Sequence, residues 1–450
     1  MDLSSINKVF FIGIGGIGMS ALANYFLKKN IQVYGYDREA SAITENLKNL
    51  GSSIIYNYND FNVNVLKSDS DNTLVIYTPA ISKEHPLLTK FKENEFNIFK
   101  RAEVLQKISE NSKCIAVAGT HGKTTTSAIL AHILKVSDLR FSAFVGGIMV
   151  NYNSNFLYNG EDYILVEADE FDRSFLNLNP NYACITSLDS DHLDIYGDSN
   201  SLIEAFEQFK NNIVEGGFLI SHEDVEINSK KYGIIESSDY LAKNIINNKN
   251  YSQFDLRFNG CIVENLKIHL QGLHNVMNSV AAVSIAIELG ISDKKILEAL
   301  KTFKGIERRF SYKIDNESMV LIDDYAHHPE EIKQVYKTLK LIYPNDNLLV
   351  VFQPHLYSRT RDMLDEFAQQ LSKFDAVILL EIYAAREHPI KGISSDILLK
   401  KIQSKYKFFS EKSELSSLIK DIGFKVNITL GAGDIANEVE QIKNELEYAI

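Results

Sequence analysis

Residues 118–126 read AGTHGKTTT, set between the apolar run CIAVA (residues 114–118) and the segment TSAILAHIL (residues 126–134), which repeats apolar residues at helical spacing. A strand that breaks at glycines and restarts as a helix gathers backbone N–H groups at a helix N-terminus, and their positive partial charge suits phosphate oxygens. In that frame Gly119, Thr120, His121 and Gly122 form the loop and Lys123 reaches the outer phosphates. Thr124, followed by Thr125, offers a hydroxyl to Mg²⁺. The loop is a shortened G-x-x-G-K-T, because Val117 stands where the eight-residue form has its first glycine. The segment predicts a nucleotide-phosphate site at a strand-to-helix junction of an α/β fold.

Length and charge frame that site. A chain of 450 residues has room for two to four domains of roughly 150 residues each. With 47 Lys+Arg against 59 Asp+Glu, the net charge of −12 gives no support for a nucleic-acid partner. Cys114, Cys184 and Cys261 are widely spaced, without metal-site spacing, and two lie in apolar runs, which points to a reducing compartment. The N-terminal MDLSSINKVFFIGIGG lacks the pattern of a secretory leader, and no uncharged run approaches the ~18 residues that span a bilayer. The expectation is a soluble cytoplasmic protein with small-molecule ligands and no membrane partner. Oligomeric state is left open.

Strand-helix alternation recurs three times. The first opens with KVFFIGIGGIGMSALANYFLKK, where Gly13, Gly15 and Gly18 fit G-x-G-x-x-G and Asp37 ends the next strand where a ribose-binding acid lies in dinucleotide folds. That turn encodes only close approach of backbone to a pyrophosphate, so any nucleotide diphosphate satisfies it. A polar helical stretch, residues 101–113, places a boundary near residue 107. The central unit carries the phosphate loop, the strands YILVEAD and YACITSLD, and a largely strand-like region from Gly216 to Gly272. A loop and buried helix follow in QGLHNVMNSVAAVSIAIELG, and a second boundary falls near residue 310. The tail alternates VLIDDYA, NLLVVFQ, DAVILL and VNITLG with helical segments, giving a third parallel unit.

Glu167 in ILVEADE and His192 in SLDSDHLDIYG each follow an apolar strand, and ligands in an open parallel sheet gather at the carboxyl ends of strands. Together with the phosphate loop, three strand ends converge on one Mg²⁺-nucleotide. A carboxylate is a natural hard ligand for Mg²⁺, and an imidazole at a second metal position is allowed.

These motifs carry a family resemblance. GIGGIGMS, AGTHGKTTT, VEADEFDRSF, DSDHLDIYG, GLHNVMNSVAA, GIERRF, DDYAHHPEE, FQPHLYSRT and LGAGDI occur in this order over residues 8 to about 440 and resemble the Mur ligases of peptidoglycan synthesis. The resemblance implies three domains: a Rossmann-like UDP-sugar domain (1–107), a central P-loop ATPase domain with a mostly parallel sheet (108–310), and a Rossmann-like amino-acid domain (311–450). It implies that Gly15, Gly16, Ile17 and Asp37 hold the UDP-sugar and that Lys123 binds phosphate. Thr124 and Glu167 would ligate one Mg²⁺, and Glu167 with His192 a second, with Mn²⁺ as a substitute. His274, Asn275 and Asn278 look like the adenine segment, and Arg308 like the arginine that reaches the ATP phosphates. Asp324, Tyr325, His327, His328 and Arg359 resemble the acceptor and amino-acid pocket. Arg309 and His355 are more simply read as an ion-pair partner and a packing residue.

Two departures bear on the branch. Leu356 stands where the family often has an arginine in QPH-R-YSRT, and Glu207 stands where ligases of later amino acids carry a modified lysine. The second favours the branch that joins L-alanine to UDP-N-acetylmuramate at the expense of ATP. The implied chemistry converts the lactyl carboxylate to an acyl phosphate, which the amine then displaces; it needs no enzyme nucleophile, and none is recognisable. A histidine such as His327 or His328 would accept the amine's proton. A nicotinamide oxidoreductase uses only the first glycine motif, and a non-catalytic nucleotide-binding protein leaves the metal ligands idle. A recycling branch that attaches a whole tripeptide is the nearest alternative; it tends to carry an insertion after EADE that DRSFLNLNP lacks.

Overall fold

Apolar residues alternating in short runs bounded by glycines build three sheets of mostly parallel strands. The computed structural model describes residues 3–188, 199–385 and 387–447. The first sheet holds β1 (Lys8–Ile12), β2 (Gln32–Tyr36), β3 (Ser53–Ile55), β4 (Thr73–Tyr77) and β5 (Asn97–Lys100) in the order β3-β2-β1-β4-β5. Its helices are α1 (Ile17–Lys28), α2 (Ala42–Asn49), α3 (Asn64–Lys67) and α4 (Pro86–Glu93), and α5 (Arg101–Ser109) leads out of it. The period of two in a strand explains its two faces. Val9 and Phe11 enter one core while Phe10 and Ile12 enter another with Phe91 and Phe96.

The second sheet has ten strands: β6 (Lys113–Ala118), β7 (Phe141–Met149), β8 (Ser154–Tyr158), β9 (Tyr163–Glu167), β10 (Tyr182–Ile185), β11 (Phe218–His222), β12 (Lys230–Gly233), β13 (Tyr240–Asn247), β14 (Ser252–Phe258) and β15 (Cys261–Ile268). Their order is β15-β14-β13-β12-β11-β10-β6-β9-β7-β8, parallel from β7 through β13, with the hairpin β7–β8 at one edge. That hairpin was not read from the sequence. β6 lies centrally, between β10 and β9, and α6 (Lys123–Val136) starts five residues after it ends. The helix is buried along most of its length, and His132 within it bonds Tyr152 Oη at 2.6 Å and Thr302 Oγ1 at 3.0 Å. Burial pulls this imidazole down to about 4.

The third sheet runs β16 (Ser311–Asp315), β17 (Val320–Asp324), β21 (Val426–Leu430), β18 (Leu348–Phe352), β19 (Ala376–Leu379) and β20 (Tyr406–Phe409), parallel except for β16–β17. Val320, Ile322, Val350 and Phe352 fill one of its cores, and Leu321, Leu349 and Val351 the other.

The packing divides the chain into two units. One comprises the chain up to Ile245 with Gln253–Ile268 and Met277–Lys304, and therefore holds the first sheet and most of the second. The other comprises Ile246–Ser252, His269–Val276 and the chain from Gly305, with the third sheet. No described helix is long and apolar enough to cross a membrane.

Candidate active site

Two glycine turns in the first unit are built on one plan. After β1 the chain turns at Gly13, whose φ of +86° only glycine adopts without strain. Gly16 N donates to Gly13 O, and α1 begins at Ile17 with no side chain capping its first amides. Gly15 N donates to Asp37 Oδ2 at 2.7 Å, and the other Asp37 oxygen accepts Arg38 N. A Cβ on Gly15 would lie 2.9 Å from both Asp37 Oδ2 and the Thr44 methyl. Gly15, Gly16, Ile17 and Asp37 are thus brought together, with Asp37 acting on the loop's own backbone.

After β6 the chain turns at Gly119 (φ +129°) and Gly122 (φ +81°), and Lys123 is the first residue of α6. Thr186 and Ser187, just beyond β10, brace this loop. Thr186 Oγ1 donates to Ala118 O and His121 O, and Ser187 Oγ accepts His121 N at 2.8 Å and bonds Thr120 Oγ1 at 2.9 Å. A Cβ on Gly119 would overlap Thr186 Oγ1, which fixes glycine there. Thr125 is buried in the first turn of α6, and Thr126 Oγ1 donates to Asn278 Oδ1.

Lys123 meets a residue the sequence reading passed over. Its ammonium donates to both oxygens of Glu170, at 2.9 and 2.8 Å, and to Gly119 O at 2.5 Å. Glu170 is fully buried and the Lys123 side chain 14 % exposed, so this is an interior ion pair. Burial works against the charged lysine, but the carboxylates of Glu170, Asp169 and Glu167 outweigh it and raise its pKa. Thr124 Oγ1 donates to Glu167 Oε1 at 2.9 Å, while Glu167 Oε2 accepts Gly146 N at 2.7 Å. The hydroxyl and carboxylate expected at the metal are therefore in contact. His192 lies outside the described residues, and among the described residues no group of three or more His, Cys, Asp and Glu side chains is arranged to hold a metal.

The second unit gathers its own polar cluster at the carboxyl ends of β17, β18 and β21. Arg308, at φ +60°, donates through Nε to Asp323 and through Nη2 to Gly431 O, and lies 5.1 Å from the Tyr325 ring centroid. Arg309 covers the same ring at 5.2 Å and approaches Glu331 at 3.8 Å, an ion-pair partner as read. Asp324 spends its oxygens on Phe310 N and Ala326 N, and burial lifts its carboxyl to about 6 against the pull of Arg309 and those amides. His328 caps the helix Pro329–Ile342, its Nδ1 accepting Glu330 N. His327 stands between Tyr325 and His355, with ring centroids 5.2 and 5.8 Å away. His355 also stacks on Tyr383 and approaches Arg359 Nη1 at 3.5 Å, so it belongs to this cluster rather than serving only as packing. Leu356, where the family often has an arginine, is held at φ +71°. Of the expected adenine segment, His274 is half-buried beside Gly272 and lowered to about 4 by burial and Arg309, and Asn275 Nδ2 donates to Gln271 O.

A strand-loop-helix phosphate turn beside a strand-end carboxylate, in a chain with two flanking parallel sheets, defines a nucleotide-dependent enzyme of three α/β domains. Models of the Mur ligase family match in sequence order: the family's catalytic domain over residues 8–113, the middle domain over 117–286, and the glutamate ligase domain over 308–430. The chain belongs to the Mur ligase family and is a ligase of peptidoglycan precursor synthesis. Within it, the UDP-N-acetylmuramate–L-alanine ligase of Christiangramia forsetii is 47% identical over 449 residues, 99% of each chain. The solved UDP-N-acetylmuramate-alanine ligase of Thermotoga maritima is 30% identical, with a TM-score of 0.83 over 98% of this chain and 100% of its own. A murein peptide ligase from Psychrobacter arcticus, 22% identical with a TM-score of 0.72 and 98% of each chain covered, shares the fold. The oxidoreductase and non-catalytic readings fall away with the family.

Proposed function

We propose that this chain joins L-alanine to the lactyl carboxylate of UDP-N-acetylmuramate, with ATP converted to ADP and phosphate. The observation that carries the reading is the pairing of a lysine-bearing phosphate loop with a lysine-free glycine loop in one unit. The first sheet (1–107) takes the UDP-sugar on Gly15, Gly16, Ile17 and Asp37. The central domain (108–310) takes ATP on Gly119–Thr125, and 311–450 takes the amino acid.

A carboxylate resists attack by an amine until one oxygen becomes a leaving group. The lactyl carboxylate therefore attacks the γ-phosphorus of ATP, giving an acyl phosphate and ADP. The amine then adds to the acyl carbon and phosphate departs. Lys123 and the N-terminal amides of α6 stabilise the charge that moves with the phosphoryl group. Arg308 is the phosphate cation assigned to the second unit. The Thr124 hydroxyl and Glu167 carboxylate are hard oxygen donors that would hold Mg²⁺. Glu167 with His192 would hold a second ion. When bound, Mg²⁺ neutralises phosphate charge. Of the two histidines considered for the amine's proton, His327 is favoured, since the His328 ring is committed to a helix cap. Tyr325, Asp324 and Arg359 shape the amino-acid pocket.

The test is phosphate release from ATP with UDP-N-acetylmuramate and single amines. L-Alanine should support it. Glycine and serine should be slower rather than inert, because one methyl contributes only about 0.8 kcal/mol. L-Ala-D-Glu-diaminopimelate should give little or none, and a strong preference for that tripeptide would reassign the chain to the recycling branch.

A further inference from the structure

The glycine loop of the first sheet is flanked by a cation that its motif does not require. Arg101 opens α5, and its guanidinium lies across the first turn of α1. A Cβ on Gly18 would overlap Arg101 Nη1 and come within 3.1 Å of its Cζ and 3.2 Å of its Cδ. The third glycine of G-x-G-x-x-G ordinarily permits close helix–strand packing. Here it makes room for an arginine.

Electrostatics oppose this placement. Helix N-termini carry about half a positive charge and disfavour cations, yet Arg101 is the first residue of α5 and its head lies against the second residue of α1. The compensating carboxylate is Asp169, whose Oδ2 is 3.6 Å from Arg101 Nη2 and whose side chain is 39 % exposed. That separation exceeds the roughly 2.7–2.9 Å of a charge-assisted hydrogen bond. Glu103, in the first turn of α5, is engaged with Lys100 N at 2.6 Å, and Asp37 with Gly15 N and Arg38 N. A partly exposed guanidinium thus lies against the uncapped first turn of α1 with one long ion pair, and an anion bound there removes the conflict.

We propose that Arg101 binds the acceptor, its fork of N–H donors taking phosphate oxygens of the nucleotide-sugar diphosphate at the glycine loop in exchange for the loose pair with Asp169. The assignment rests on the reading that the first sheet holds the UDP-sugar.

Titration calorimetry with uridine, UDP and UDP-N-acetylmuramate tests it, with ADP as the control for the other loop. Arg101→Met should weaken UDP and the UDP-sugar about tenfold or more, the loss expected for a charge-assisted contact. Uridine, which lacks phosphate, and ADP should change by less than about twofold. Arg101→Lys keeps charge without the fork and should fall between, so it decides the matter through the same UDP-to-uridine ratio if the Met variant does not fold. An unchanged ratio, or a loss for uridine equal to that for UDP, overturns the assignment. Failure of the unaltered protein to bind UDP-N-acetylmuramate overturns the first-sheet reading itself, and Arg101's role with it.

Discussion

The turn at Gly13–Ile17 and the turn at Gly119–Lys123 share a backbone plan and differ in the side chains packed against it. Each follows a buried strand, passes through a glycine of positive φ and opens a helix whose first amides no side chain caps. The first is braced by an acid, Asp37, and carries no cation of its own. The second is braced by the hydroxyls of Thr186 and Ser187 and places Lys123 immediately after its last glycine, locked to Glu170. Backbone geometry makes both turns receptive to phosphate. The residue after the last glycine, isoleucine in one helix start and lysine in the other, separates holding a phosphate from helping to transfer it.

Replacing that lysine is the strongest way to break the contrast. Lys123→Ala should lower turnover by on the order of 10² or more at saturating ATP while the fold persists. A folded variant with unaltered turnover would remove the distinction between the loops. Its partner comes next. Glu170→Ala leaves a lysine charge in the interior, and with Lys123 slightly exposed the expected cost is about 2 kcal/mol, below the full value for breaking a buried pair. Chemical denaturation of both single variants and the double should show the double variant less destabilised than the sum of the singles. Additive losses would mean the pair is not coupled.

The two loops should also differ in acid. His132 sits on α6, the helix that follows the phosphate loop, and its folded value of about 4 lies below the usual 6.5. The unfolded chain therefore binds the proton more tightly, and the stability held above pH 6.5 is lost as pH falls toward 4, by about 2 kcal/mol at pH 5. Urea midpoints should fall over that range, and His132→Gln should flatten the dependence. The smallest effect falls on the first loop. Asp37→Ala strips Gly15 N of its acceptor and should raise the KM for UDP-N-acetylmuramate about tenfold, with the KM for ATP unchanged.

The sequence made the strand ends legible because glycines and apolar runs are local signals. The strand-turn-helix successions β1–α1 and β6–α6 needed no knowledge of what packs on them. Glu170 is not legible in the sequence because its role depends on a lysine 47 positions earlier. Its one local signal was its place as the third carboxylate of EADE, three residues beyond the strand end at Glu167. Arg101 was read as part of a polar boundary helix, since nothing in RAEVLQ says that its head reaches Gly18. In DDYAHHPEE the resemblance points His328 to the pocket, whereas the structure makes it the cap of a helix with Pro329 at its first position and Glu331 at its third, an arrangement that competes with a ligand role. The hairpin β7–β8 escaped because FSAFVGGIM and SNFLY lack a tight-turn signature strong enough to separate them from a single buried run.

The central claim is that a carboxylate delivered by the first loop attacks the phosphoryl group held by the second. Oxygen tracing reads this directly. With UDP-N-acetylmuramate labelled with ¹⁸O in its lactyl carboxylate, and with ATP and L-alanine, the released phosphate should carry one labelled oxygen for each amide formed. Product amide accompanied by unlabelled phosphate would contradict it.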